Sequence, residues 1–233
     1  SDIFLLILCL VASVYGVILV YSATLSYGTS SYIYVQAASL LIGLGLFFLF
    51  SLIDVDFFTN KWYLLLAFNI ALICSLFLWG VEGGTGNRSW IRFGVAGIQP
   101  SEVIKVTFVL LLAKQMDHLR NSERGLSSVI SVIQLVLHFA LMFGLIIITS
   151  ADLGSALVFL IIFIAIIFAG GVKLIWFIIG LGAAAASAPW LWNHYLSDYQ
   201  KDRLLAPYFP EAVDPDGLGV TWQVNQSKIA LGS

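Results

Sequence analysis

Residues 99–106, QPSEVIKV, open the apolar run VIKVTFVLLLA (103–113) and decide how the chain folds. They place a glutamate, Glu102, and a lysine, Lys105, where a membrane-spanning helix should begin. A charged side chain at mid-bilayer costs roughly 2.5–3.5 kcal/mol on insertion scales, and less near an interface. Either the span is misplaced, or the charges form a structural pair, or they take part in chemistry. Gln99-Pro100-Ser101-Glu102 has the character of a helix start: proline suits the first turn, and an acid there meets the positive end of the helix dipole. Lys105 lies one turn further along the same face and can pair with Glu102. From these residues alone, structural pairing, substrate contact and a misplaced span all stay open; the expectation is a supporting intramembrane pair, Glu102 and Lys105, that faces an internal polar cavity.

The composition around this stretch settles the class. Of 233 residues, 60% are hydrophobic and 10% charged, and the mean hydropathy is +0.98. A soluble domain carries roughly 25% charged residues. This chain cannot cover a water-facing surface, so it reads as an integral membrane protein. A net charge of −2 gives no basic excess for nucleic acid. Cys9 and Cys74 lie inside apolar runs and read as small core residues rather than a disulfide. The opening SDIFLLILCL has neither a basic n-region nor a cleavage site, and reads as a span instead of a signal peptide.

A bilayer core needs about 20 apolar residues per helix. Uncharged runs of that kind fall at about 3–21, 32–53, 62–80, 129–149, 153–169 and 174–193, and 101–116 is a seventh if Glu102 and Lys105 are tolerated. The expected fold is therefore an all-α polytopic bundle of seven transmembrane helices in residues 1–193. An extracytoplasmic segment, 194–233, follows it. With the N-terminus cytoplasmic, the inner side holds Lys61, Lys114, Arg120, Arg124 and Lys173. The outer side holds Arg88, Arg92, Lys201, Arg203 and Lys228. The totals tie, but the inner loops are shorter and denser in basic residues, which favours this orientation.

On that topology two outer segments carry the readable chemistry. One, about 81–100, is VEGGTGNRSWIRFGVAGIQP; the other, 194–233, holds eight charged residues. Within the second, PEAVDPDGLG is turn chemistry, and YQKDRLLAPYF mixes basic and aromatic residues as an interfacial segment does. Glu211 and Asp216 read as solvated loop acids or as carboxylates for base chemistry. Asp152, in SADLGSA (150–156), is either an N-cap for the next helix or a cavity-lining acid. His138 sits mid-span and reads as a hydrogen-bonded intramembrane histidine, because no second His or Cys stands at ligand spacing. Gln36, Asn69 and Gln134 read as interhelical hydrogen bonders, and GLGAAAAS (180–187) as a close-packing stripe.

Taken in order, VYSAT, GNRSWIRFG with IQPSEVIKV, ADLGSALV with FAGG, and YQKDRLLAPYFPEAVDPDGLG with NQSKIALGS resemble the SEDS family of bacterial cell-wall proteins, RodA and FtsW. The order and spacing match over nearly the whole chain, and QSKIALGS leans towards RodA. The resemblance implies a peptidoglycan glycosyltransferase that polymerises lipid II at the outer face of the bacterial cytoplasmic membrane and serves cell shape or division. Its implied partner is a class B penicillin-binding protein, a transpeptidase. The family fold has ten transmembrane helices, so this chain corresponds to the N-terminal portion, and whether that portion acts alone stays open. The family's essential loop acid, in DP-x-G-x-G, falls on Asp214. Its tryptophan falls on Trp90, its QPSE…K pair on Glu102 and Lys105, and its arginine after YQ on Arg203. Here NRSW, SADLG and VTWQVNQS depart from the family pattern, which bears on Arg88 and Asp152 more than on Asp214.

The implied reaction needs a base for the attacking sugar hydroxyl and cations for a pyrophosphate leaving group. Asp214 is the candidate base; Arg203, Lys201, Arg88 and Arg92 are candidate pyrophosphate ligands, alone or with a divalent ion such as Mg or Mn. A base poised near neutral pH would call for partial desolvation of the carboxylate. An α-linked donor giving a β-linked product implies inversion. The main rival is a lipid II flippase or other transporter, since polytopic bundles with internal charge pairs also serve carriers. A non-catalytic scaffold for the transpeptidase is a further rival. A retinal protein is disfavoured, because 174–193 holds no lysine for a Schiff base.

Overall fold

A computed structural model describes residues 3–25, 31–82, 87–94 and 96–232, the side chain of Phe58 excepted. The chain divides into two compact units, Ser1–Val172 and Lys173–Ser233.

In the first unit, α1 (Ile3–Thr24) and α2 (Ser31–Leu52) are apolar on every face and pack against each other. Thr24 is their one buried residue among those described, so the rest of both surfaces suits lipid. After a short α3 (Val55–Thr59), a continuous apolar stretch runs through α4 (Trp62–Cys74) and α5 (Leu76–Trp79). The break falls at Ser75, whose hydroxyl donates to the Leu72 carbonyl at 2.6 Å; such back-bonding bends helices.

The bundle is built around α6 (Pro100–Arg120), with α7 (Val129–Ser150) and α8 (Leu153–Ala169) packed on it and on each other, and α4 closing the side. Ile104, Phe108, Leu111, Leu112, Met116 and Leu119 make one buried stripe along α6. Their spacing by three and four keeps that stripe on one face. Phe108 meets the Phe159 ring at 5.2 Å between centroids, and Phe139 stacks on Phe163 at 4.7 Å. Large rings from three helices thus fill the middle of the unit.

All seven expected runs are helical, with ends shifted by a few residues. Among the described residues, five helical stretches are long and apolar enough to cross a membrane: Ile3–Thr24, Ser31–Leu52, Trp62–Trp79, Val129–Ser150 and Leu174–His194. The α6 helix falls outside that set because it carries Glu102, Lys105, Lys114, Asp117 and Arg120, and α8 because it has 17 residues. The expected outer loop also holds structure of its own. There β1 (Ile91–Phe93) pairs antiparallel with β2 (Ala96–Ile98), setting Arg92 opposite Gly97.

The second unit begins with α9 (Leu174–His194), which buries no residue; the small-residue stripe at 180–187 is accordingly exposed, not packed. The segment expected as loop is largely helical: α10 (Asp198–Leu205), α11 (Pro210–Val213) and α12 (Trp222–Gly232). The α10 helix starts in a capping box, in which the Ser197 hydroxyl accepts from Gln200 N–H and the Gln200 side chain accepts from Ser197 N–H.

Candidate functional site

At one end of the bundle in the first unit, three segments meet. Proline at the first position of α6 and an extended Gln99 before it start that helix as its sequence implies. Asp152 caps α8: its carboxylate accepts from Ser155 N–H at 3.0 Å and from the Ser155 hydroxyl at 2.8 Å. The Gln99 amide then donates across to Asp152 at 3.2 Å and to the Ser155 hydroxyl at 3.1 Å, tying the start of α6 to the start of α8. Ala151 stands between α7 and α8 at φ 52°, a left-handed conformation costly for a residue with a Cβ. The outer segment joins here too, since Arg88 N–H donates to the Ser150 carbonyl at 3.1 Å.

Glu102 and Lys105 pair at 2.7 Å. The lysine side chain is 23% exposed and the glutamate 56%, so the pair lies at the edge of the unit rather than in its core. Trp90 bridges to Val81, and its ring sits where any Cβ at Gly97 would come to 3.1 Å. Of the candidate cations, Arg88 is paired with Glu82 at 3.4 Å, with both side chains exposed. Arg92, on β1, has no ion pair among the described residues.

Other polar groups join helices. Thr107 donates to Asn69, linking α6 to α4, and His138 shares a 2.8 Å hydrogen bond with Gln115, linking α7 to α6. Gln36 and Gln134, expected in the same role, make no side-chain hydrogen bond among the described residues: Gln36 lies in the groove between α1 and α2, and Gln134 faces a cavity beside α6.

In the second unit Asp214 follows α11 and is held by its own loop. One oxygen, Oδ2, accepts from Gly219 N–H at 3.0 Å, Thr221 N–H at 3.0 Å and the Thr221 hydroxyl at 2.6 Å. The other, Oδ1, accepts only a longer bond from Gly219 N–H, at 3.2 Å. A Cβ at Gly219 would press on the carboxylate at 3.2 Å, and Gly217 has φ +66°, so both glycines of DPDGLG serve the loop geometry. The Thr221 hydroxyl first, then its N–H, hold the Asp214 carboxyl below the usual carboxylate range, outweighing the smaller opposing effect of burial. Hydrogen bonding, not desolvation, thus dominates at this carboxylate. Oδ1 keeps the freer lone pairs for an incoming donor.

Lys201 pairs with Asp198 at 3.6 Å, and the Arg203 guanidinium lies over the Tyr199 ring at 5.7 Å. Among the described residues no three His, Cys, Asp or Glu side chains converge to hold a metal, and three donors already occupy one Asp214 oxygen. The residues described do not fit a divalent-cation site. Sequence reasoning placed Asp214 and Asp152 but missed Thr221 and Ser155, which hold them. The Asp-x-x-Ser spacing at 152–155 was a readable signal for the second.

The order of these motifs has relatives. Residues 3–233 match the family of cell cycle proteins that groups FtsW, RodA and SpoVE. The chain belongs to this family. Among its relatives, the peptidoglycan glycosyltransferase MrdB of Escherichia coli K12 is 30% identical over 174 residues, covering 70% of this chain and 43% of MrdB. A probable peptidoglycan glycosyltransferase FtsW of Trichlorobacter lovleyi is 30% identical over 240 residues, covering 100% of this chain and 61% of that protein. A chain of a solved peptidoglycan synthase complex, described as coordinating polymerization and crosslinking, superposes with a TM-score of 0.67 at 28% identity, covering 93% of this chain and 64% of that one. Thermus thermophilus RodA gives 0.58 at 26% identity, covering 76% and 57%. This FtsW/RodA/SpoVE member is thus a polytopic helical membrane protein, and it spans 43% to 61% of the length of the two relatives named.

Proposed function

We propose that the protein to which this chain contributes polymerises lipid II into glycan strands at the outer face of the bacterial cytoplasmic membrane, in cell elongation and shape. The observation that carries the reading is the family match across residues 3–233, with relatives named as peptidoglycan glycosyltransferases. On this reading all seven helical runs span the membrane with the N-terminus cytoplasmic, and residues 194–233 lie outside.

Asp214 is the general base. Its loop fixes the carboxylate through Gly219 and Thr221 and leaves Oδ1 to accept the proton of the acceptor sugar hydroxyl. The hydroxyl oxygen attacks the anomeric carbon of the donor, the bond to the lipid pyrophosphate breaks, and the configuration inverts. The pyrophosphate leaves with its negative charge and needs neutralising. In the unit that holds Asp214, Arg203, free of a carboxylate partner among the described residues, suits that role better than Lys201, which a substrate must first release from Asp198. A divalent ion, if the reaction uses one, draws its ligands from substrate and from beyond the residues described. The partner in the reading is a class B penicillin-binding protein.

The test supplies labelled lipid II to the full-length protein with its transpeptidase partner in proteoliposomes. Glycan polymer is the expected product. Movement of labelled lipid between leaflets with no polymer formed would replace this reading by a transporter.

A further inference from the structure

Between α4, α6 and α7 lies a cavity of about 850 Å³, at the end of the bundle opposite the Gln99–Asp152 junction. Its wall is graded. Near the α6–α7 connection stand His118 and Arg124, with Lys114 one turn further in. Further from that connection the charges give out: Leu111 from α6 and the exposed Leu137 and Leu141 from α7 stand there, beside the uncharged Gln115 and Gln134 and beside His138. From residue 118 back to 111 the helix rises about 10 Å, so the charged rim and the leucines are separated by the length of a short alkyl segment. Lys114 and Arg124 make no ion pair among the described residues, and the single carboxylate in the wall, Glu123, leaves it with net positive charge. Trp62 stands at the rim, at the start of α4, as aromatic residues do at a membrane–water interface.

Basic pockets between transmembrane helices bind phospholipid head groups, and each basic residue near an anionic surface contributes about a factor of five in affinity. A soluble anion would use the charged rim alone; an amphiphile uses the rim and also covers the exposed leucines of α7. We propose that this cavity holds an anionic phospholipid, its phosphate at Lys114, His118 and Arg124 and an acyl chain along Leu137 and Leu141. The bound lipid fills the space between α6 and α7, where Gln134 otherwise has no protein partner among the described residues.

The test is native mass spectrometry of the full-length protein released from bilayers of mixed phosphatidylglycerol and phosphatidylethanolamine, with phosphatidylglycerol titrated back. Preferential retention of phosphatidylglycerol is expected. The double variant Lys114→Gln/Arg124→Gln should weaken it roughly 30-fold, while Lys173→Gln, a basic residue outside the cavity, leaves it unchanged. Leu137→Trp keeps both charges and puts a bulky ring where the acyl chain would lie, and should also abolish retention, so the test does not hang on the charge variant folding. Inorganic phosphate should not displace the lipid. Equal retention of both lipids, unaltered binding by the double variant, or displacement by inorganic phosphate would each overturn the proposal.

Discussion

Asp152 and Asp214 make the same local bonds and do different things with them. Each accepts a backbone N–H and a hydroxyl from one residue downstream: Ser155 at 3.0 and 2.8 Å, Thr221 at 3.0 and 2.6 Å. Asp152 then takes a third partner, Gln99, from another helix, and so becomes part of the packing between α6 and α8. Asp214 takes its third from Gly219 within its own loop, and no other element holds it among the described residues. One carboxylate is a joint; the other is a preformed acceptor whose geometry the loop supplies unaided. A loop-held anion can meet a substrate without disturbing a helix interface, and this is the physical ground on which the proposal puts the base at Asp214 instead of Asp152.

That contrast can be broken at several points. Asp152→Ala removes a helix cap and an interhelical bond together, and should destabilise the protein by about 2 kcal/mol in denaturant titration. If it abolishes polymer formation while stability holds, Asp152 is no mere joint. Gln99→Leu keeps the cap and cuts the link, at an expected cost of about 1 kcal/mol by the same titration.

Thr221→Val acts on the other acid and should show in pH rather than stability. The folded pKa of Asp214 is lowered, so its contribution to stability is present above the unfolded value of 3.8 and is lost as pH falls through the folded value. The acid limb of a base-dependent rate follows the same group: activity falls as pH drops through that pKa. Removing the Thr221 hydroxyl takes away the largest lowering influence, so the acid limb should move to higher pH. An unmoved limb would separate Asp214 from the rate. The smallest effect is expected at Glu102→Gln, about 0.5 kcal/mol, because the glutamate is more than half exposed and its pair with Lys105 is screened. Loss of turnover alone, with stability and expression intact, would put that pair into the chemistry.

Much of the helical layout could be read directly, because apolar runs of membrane length are long, uninterrupted signals. Pro100 and Asp152 announced their helix starts, since capping is local chemistry. What could not be read was the rank of α6. Its charges argue against burial, yet all fall off the stripe from Ile104 to Leu119, so the most charged long helix lies at the bundle's centre. Periodicity within a mixed helix carries that information; average hydropathy loses it. The hairpin around Arg92 was hidden by glycine, which signals turns and strands alike. In the tail, the turn residues of PEAVDPDGLG drew attention from the Ser197–Gln200 capping box that starts α10. Thr221 stands seven residues from Asp214, and only the folded loop brings its hydroxyl to the carboxylate.

The most direct test of the account is glycan polymer formation by the full-length Asp214→Asn protein, reconstituted with lipid II and its transpeptidase partner. Asparagine preserves the size of the side chain and its acceptor oxygen but removes the base, so polymerisation should fall by roughly 10²–10⁴ while the purified protein stays folded and still binds its partner. Undiminished polymer from that variant would contradict the assignment of Asp214 as the base.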